Sequence, residues 1–331
     1  MSRTDARGLT DPYKRRIDYL RVSVTDRCDL RCAYCTPRGR AGRRAREAAA
    51  PLTAGEIARF VRVALGHGLR QVRLTGGEPL LREDLLAVVS SLKALGVRDL
   101  SLTTNGIRLA AMARELKAAG LDRVNISLDT MDAGKYRSLT GGGDIRRVWE
   151  AIDASSAAGL WPVKLNVVPL RGINEDELQS FAALTLERDF HIRFIELMPV
   201  RGAPLNGKGF LPTAETMERI SSLGRLVRLP FKGGGPSRNY RLEGAPGMIG
   251  FISPVSDHFC RHCNRLRLTW TGKLRPCLFS DLEVDIASAM RAGAPDSQVE
   301  ALLLEAVASK PRGHGLAAFP RDLAPMSQIG G

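Results

Sequence analysis

The chain has 331 residues, of which 44% are hydrophobic and only 5% aromatic, and it carries a formal net charge of +14. That length suits one large domain or two ordinary ones, with a core leaning on Leu, Val, Ile and Ala. No apolar run reaches the roughly 18 residues of a membrane-spanning helix, and the first residues are polar and basic, so a cytoplasmic protein is expected.

The predicted elements alternate in chain order. Short β-branched runs at 19–25, 71–75, 99–104, 123–128, 163–168 and 191–197 read as strands. Amphipathic stretches at 53–68, 82–96, 108–120, 144–159 and 174–189 read as helices, several of them stopped by glycine. Six β/α units in succession predict an α/β fold with a parallel sheet and helices outside it. Six are too few to close an eight-unit barrel, so an incomplete (β/α)6 TIM-like barrel is expected, with ligands at the C-terminal ends of the strands. After about residue 200 the pattern changes to short strands at 224–229, 237–242, 247–253 and 264–270, then helical stretches near 281–292 and 296–309. A division into residues 1–200 and a smaller C-terminal region, 201–331, follows. The basic stretch 37–51 reads as a solvated loop.

Of the 49 basic residues only 9 are lysine. Arginine is the better bidentate partner for phosphate. The arginines are spread along the chain, however, so charge alone points only weakly to an anionic partner.

Six cysteines fall into two trios. Cys28, Cys32 and Cys35 stand as C-x3-C-x2-C; Cys260, Cys263 and Cys277 stand as C-x2-C-x13-C. Clusters of this kind in a cytosolic chain read as metal ligands more than disulfides. A structural zinc site wants four ligands, and near the first trio only Asp26 and Asp29 stand by, both poor ones. Three thiolates suit a cubane iron–sulfur cluster with one iron left open. For the second trio, spacing alone leaves a zinc ribbon with His258 or His262 about even with a cluster. Arg265 and Arg267 follow at i and i+2, on one face of a strand, and make an anion site beside the trio.

The first trio, with Tyr34 just before its last cysteine and its place after the first strand, resembles the radical S-adenosylmethionine superfamily. The resemblance implies a partial barrel and a [4Fe–4S] cluster on Cys28, Cys32 and Cys35. It also implies S-adenosylmethionine chelated at the open iron. TGGEP, residues 75–79, resembles the segment that contacts the methionine amino group, and Ser127 matches a ribose-contacting position. Beside such a cluster, a second [4Fe–4S] cluster on Cys260, Cys263 and Cys277 becomes the better reading.

DYLRVSVTDRCDLRCAYC, VRLTGGEP, LTTNG, IRFIELMPV, GFISPVSDHFCRHCNRLRLT, GKLRPCLF and the final MSQIGG together resemble the GTP 3′,8-cyclase family of molybdenum cofactor biosynthesis, over roughly residues 11–331. The resemblance implies conversion of GTP to (8S)-3′,8-cyclo-7,8-dihydroguanosine 5′-triphosphate. Arg21, Arg73, Thr103 and Lys164 match GTP-contacting positions, and Arg265, Leu266 and Arg267 match the segment that meets GTP near the second cluster. Tyr34, Gly77, Ser127 and Met198 match contacts to S-adenosylmethionine. Gly330 and Gly331 match a tail inserted into the active site, and with Arg265 and Arg267 they are the catalytic candidates. Taken alone, Met198 reads as core, Lys164 as a snorkelling strand-end lysine and the terminal glycines as a frayed end. Asp29 departs from the asparagine common in the family. Flavodoxin or ferredoxin as electron donor, cyclic pyranopterin monophosphate synthase downstream, and a homodimer are the implied or allowed partners. Two other readings stay open: a radical enzyme acting on peptide or RNA, and a zinc-stabilised nucleic-acid-binding protein.

Overall fold

The computed structural model describes residues 8–35, 50–199, 205, 208–230, 235–314 and 326. Twelve strands are found among them: β1 (Tyr19–Ser23), β2 (Gln71–Thr75), β3 (Asp99–Thr104), β4 (Arg123–Ser127), β5 (Lys164–Val167), β6 (His191–Ile195), β7 (Leu226–Arg228), β8 (Arg238–Leu242), β9 (Met248–Ile252), β10 (Arg265–Leu268), β11 (Lys273–Arg275) and β12 (Val284–Asp285). All belong to one sheet in the order β12-β11-β10-β1-β2-β3-β4-β5-β6-β9-β8-β7.

The six predicted β/α units are present, with β1 to β6 side by side and parallel. The region after residue 200 extends the same sheet at both edges. β9 pairs parallel with β6, and β10 pairs parallel with β1. Antiparallel ribbons then finish each edge, β8 and β7 on one side, β11 and β12 on the other. The sheet does not close, so the fold is an incomplete TIM-like barrel with edges covered by short strands.

Local sequence explains the helices. Thr53 and Glu56 form a reciprocal capping box at the start of Ala54–Gly66. Asp144 caps Ile145–Ala157 through its side chain. A helix that the periodicity did not reveal, Ala133–Thr140, lies between β4 and β5; Asp132 caps it and Gly141 ends it at φ 71°. It is short, and Tyr136, Leu139 and Thr140 are its buried residues, too few for a legible apolar stripe.

The core lies between the outer face of the sheet and the helices. Val72 and Leu74 of β2, Leu100 and Leu102 of β3, Val124 and Ile126 of β4, and Leu165 and Val167 of β5 all join it fully buried. Alternate residues on the same strands point the other way, into the barrel. Two substitutions on β3 check this division. Leu102→Ala is expected to cost about 2–5 kcal/mol in urea unfolding. Thr103→Ala, its neighbour on the inner face, is expected to stay within about 0.5 kcal/mol of wild type.

Candidate active site

The inner face lines a cavity of about 500 Å³ that runs from the first residues of the parallel strands (Tyr19, Gln71, Asp99, Arg123, Lys164) to the loops after their C-terminal ends. Its wall is polar and cationic. Arg21 of β1, Arg73 of β2, Arg123 of β4, Lys164 of β5, Arg193 of β6, Arg265 and Arg267 of β10, and Lys310 all line it. The strand register sets three of them in a row: Arg267 faces Arg21, and Arg21 faces Arg73. Neighbouring strands lie about 4.8 Å apart, and like charges directly opposite destabilise a sheet.

The described residues give several of these groups partners. Arg123 pairs with Asp99 at 2.6 Å. Arg73 donates from Nε to Ser101 at 3.2 Å and lies 5.4 Å from the Tyr19 ring centre. Arg193 donates to the Asn125 side chain at 3.2 Å. Arg21 Nε, Arg123 Nη1, Thr103 Oγ1 and Asn166 Oδ1 are buried and make no hydrogen bond with the described residues. Buried polar groups are normally satisfied, so this wall is shaped for a ligand with several oxygens and negative charge. Burial, with Arg193 and Arg123 adding to it, pulls the Lys164 ammonium down to about 5. Burial, with Arg73 and Arg123 adding, lowers Arg193 to about 9.

The other end of the cavity is acidic. Glu78 of the TGGEP segment is buried and accepts from Thr104 Oγ1 at 2.7 Å, Asn105 N at 2.7 Å and Leu80 N at 3.1 Å. Burial still lifts its pKa to about 7. A ligand ammonium there restores the carboxylate. Gly77 and Gly76 press onto the preceding loop. A Cβ on Gly77 would lie 2.1 Å from the Arg27 carbonyl oxygen, and one on Gly76 would lie 2.4 Å from that of Thr25. Only glycine allows that approach. Asp129 accepts from Tyr34 at 2.6 Å and from Val168 N at 2.8 Å. Its pKa is raised to about 6 by burial. Asp29 accepts from Asn105 at 2.7 Å and pairs with Arg108.

Both cysteine trios face this cavity, one toward each end, as free thiols. Cys28 reaches solvent through the cavity, yet desolvation pushes its thiol up to about 12, with Glu78 and Asp29 adding to the rise. Burial, with Cys35 and Asp129 beside it, raises Cys32 well above the ordinary thiol value. Such thiols ionise only beside a cation, as metal ligation provides. In the second trio burial opposes ionisation of Cys263, but Arg265 and Lys310 outweigh it and hold the thiol at about 6. Among the described residues His258, Cys260 and His314 place one ligand atom each within 4.8 Å of one another, so this part of the second trio can hold a metal ion, and the zinc alternative with His258 stays open there.

The predicted residues gather in one place. Tyr34, Gly77, Ser127, Met198, Arg21, Arg73, Thr103, Lys164, Arg265, Arg267 and all six cysteines line the cavity. Leu266 does not: its side chain is 1% exposed and belongs to the core, so its backbone is what it can offer a ligand. Gly330 and Gly331 lie outside the described residues. Arg123, Arg193 and Lys310 were missed. A signal existed for the first two, since each has the strand parity of an inward-facing residue.

Comparisons with known proteins agree. Residues 22–185 match the Radical SAM superfamily and residues 190–316 match Molybdenum Cofactor Synthesis C. A GTP 3′,8-cyclase of Moorella thermoacetica is 49% identical over 325 residues, covering 98% of this chain and 100% of that one. One of Pelotomaculum thermopropionicum is 48% identical over 334 residues, with the same coverage. The solved structure of Streptococcus suis SuiB bound to S-adenosylmethionine superposes with a TM-score of 0.64 at 16% identity, over 92% of this chain and 68% of that one. At that identity the likeness concerns the fold.

The cationic wall has a measurable consequence. Above pH about 5 Lys164 is neutral in the free cavity, and a bound polyphosphate restores its ammonium. Binding then takes up a proton. Affinity for inorganic tripolyphosphate is expected to rise as pH falls from 8 to 6, by up to about tenfold per pH unit. Lys164→Met is expected to flatten that dependence, as titration calorimetry in buffers of different ionisation enthalpy will show.

Proposed function

Because the chain belongs to the GTP 3′,8-cyclase family of radical S-adenosylmethionine enzymes, we propose that it converts GTP to (8S)-3′,8-cyclo-7,8-dihydroguanosine 5′-triphosphate, the first step of molybdenum cofactor biosynthesis. One observation carries the reading: two cysteine trios open on a single cavity that is also lined by a row of arginines in strand register.

Cys28, Cys32 and Cys35 hold a [4Fe–4S] cluster, which when loaded with S-adenosylmethionine supplies the radical that removes hydrogen from C3′ of GTP. Glu78 and Gly77 receive the methionine ammonium. Tyr34, Ser127 and Met198 hold the rest of that molecule, with Asp129 fixing the Tyr34 hydroxyl. Arg21, Arg73, Thr103, Lys164 and Arg193 receive the triphosphate. Arg265, Arg267 and the Leu266 backbone meet the nucleoside beside a second cluster on Cys260, Cys263 and Cys277. In the net change a C3′–C8 bond forms, C3′ loses its hydrogen, and one electron with one proton restores the count, so mass is unchanged. The protein's task is to keep C3′ in near-attack contact with the hydrogen acceptor, roughly 3–3.5 Å, in a cavity closed to bulk water.

Gly330 and Gly331 enter this reading by resemblance, with Met326 on the cavity wall as its support. The division at residue 200, flavodoxin or ferredoxin as reductant, the downstream cyclic pyranopterin monophosphate synthase and a cytoplasmic setting rest on the family alone. No helix of the described residues is long and apolar enough to cross a membrane. A peptide-modifying radical enzyme leaves the arginine row unexplained; an RNA-modifying one would use that row for phosphate and stands behind the cyclase reading on the family match. A zinc-stabilised nucleic-acid-binding protein leaves Glu78, the paired glycines and the enclosed cavity unexplained.

The test is anaerobic. The protein is reconstituted with iron and sulfide, supplied with S-adenosylmethionine and dithionite, and followed by mass spectrometry with and without GTP. A GTP-dependent product of unchanged mass and a rise in 5′-deoxyadenosine are expected. Formation of 5′-deoxyadenosine that ignores GTP would move the peptide or RNA reading forward. Cys28→Ala is expected to abolish 5′-deoxyadenosine. Arg265→Ala with Arg267→Ala is expected to keep both clusters and lose roughly a hundredfold or more in GTP turnover, since each removes a charge-assisted contact of about 1.5–3 kcal/mol.

A further inference from the structure

A second set of metal-ligating side chains overlaps the second trio at one residue. His258, Cys260 and His314 each bring a donor atom within 4.8 Å of the other two. His258 stands two residues before Cys260, at the entry to the short turn Cys260–His262. His314 comes from far along the chain, and several contacts fix it against this segment. Its backbone N–H donates to the Cys260 sulfur. Arg15, 6% exposed and ion-paired with buried Asp11, donates to the Cys260 carbonyl at 2.8 Å and to the carbonyls of Pro311 at 2.6 Å and Arg312 at 3.2 Å. Lys310, 3% exposed, donates from Nζ to the Arg265 carbonyl at 2.7 Å and the Pro276 carbonyl at 2.6 Å. The His258 and His314 rings meet edge to face with centres 4.7 Å apart. His314 also donates a ring N–H to the Pro254 carbonyl. That bond sets the tautomer and makes the other ring nitrogen the acceptor, which is how metal-bound histidines are usually held.

Two imidazoles and a thiolate are a donor set of borderline softness, which suits zinc and not the oxygen-seeking calcium or magnesium. Tetrahedral zinc sets such donors roughly 3.5 Å apart. The His258 side chain is exposed, so its rotation can close the remaining gap. The neighbouring Cys263 sulfur is already engaged by the Arg265 side chain, with the Lys310 ammonium nearby. We propose that His258, Cys260 and His314 bind a single zinc ion, in a site that takes neither Cys263 nor Cys277 as a ligand. All three residues line the cavity, so the fourth coordination position is open to water or to a ligand from it. Cys260 also belongs to the second trio, and a thiolate bound to zinc is withdrawn from a cluster there. Zinc and the second cluster therefore exclude one another, and the metal supply decides which form of the protein arises. This exclusion, unlike the zinc site itself, rests on reading the second trio as a cluster site.

The experiment uses the full chain, metal-free and anaerobic, with Cys28→Ala, Cys32→Ala and Cys35→Ala removing the other thiols. Zinc affinity is measured against a chromophoric chelator, and cobalt(II) serves as the coloured probe. One ion per chain is expected, with the absorption of tetrahedral cobalt and a thiolate charge-transfer band. His258→Ala and His314→Ala are each expected to weaken zinc binding by more than about a hundredfold, the upper range for loss of an outer-shell partner alone. Cys263→Ala and Cys277→Ala are expected to leave the affinity as it was. His314→Gln serves if His314→Ala does not fold. No bound ion, or loss of binding in the two cysteine variants but not in the histidine ones, overturns the proposal. Exclusion is read by iron counting in the chain with all its cysteines. Reconstitution with iron and sulfide is expected to give about eight irons per chain, about four after preloading with zinc, and about eight again in preloaded His258→Ala. About eight irons in the zinc-preloaded wild type overturns the exclusion. About four without any zinc sinks the second-cluster reading and the exclusion with it, while the zinc titration still decides the site.

Discussion

Three guanidiniums in register across β10, β1 and β2 are the constraint around which this molecule is arranged. Arg267, Arg21 and Arg73 occupy opposed positions on adjacent strands, where like charges repel and no carboxylate alternates with them. The inner face of the sheet therefore works against folding, and stability has to come from the other face. The unbroken apolar lining of that outer face, from Val72 and Leu74 through Leu165 and Val167, meets this need. A polyanion in the cavity is what relieves the repulsion. Substrate binding and strain relief are thus one event, which favours ligands bearing several negative charges over neutral ones.

The two ends of the cavity then divide by charge. Around Cys28 and Cys32 stand Glu78, Asp29 and Asp129, and the thiols are driven upward. Around Cys263 stand Arg265 and Lys310, and the thiol is driven down to about 6. Cys263 thus sits in a field opposite to that of Cys28 and Cys32, although burial raises its neighbour Cys260. In the proposed reading a ligand with an ammonium group belongs at the acidic end and one with phosphates at the cationic end, so the polarity of the cavity sets the orientation of its two reactants.

Much of this was legible in residue order, because strand and helix periods are local. The runs at 71–75 and 99–104 are the strands observed, and both trios face the cavity that their positions after strand ends implied. What residue order hid was tertiary. β9 and β10 read as members of a separate small region, since nothing in GMIGFIS or NRLRLTW says which edge will accept them. Arg123 and Arg193 carry the parity of inward-facing strand residues, but parity alone does not say which face the barrel will enclose. Lys310 and Arg15 carry no motif at all; their meaning lies in carbonyls far away along the chain, and backbone acceptors leave no trace in side-chain identity.

The pairing of β1 with β10 has a consequence for synthesis on the ribosome. Tyr19 registers against Arg265, so nearly the whole chain must emerge before β1 acquires its outer neighbour. Until then a nascent half-barrel displays a bare strand, the kind of template that recruits other chains. Arg21 stands in the middle of that strand, and a charge there discourages a stray partner from pairing. The residue that the proposed reading sets against phosphate thus also guards, earlier, against intermolecular pairing, and a neutral substitution at Arg21 would be felt in the yield of soluble protein.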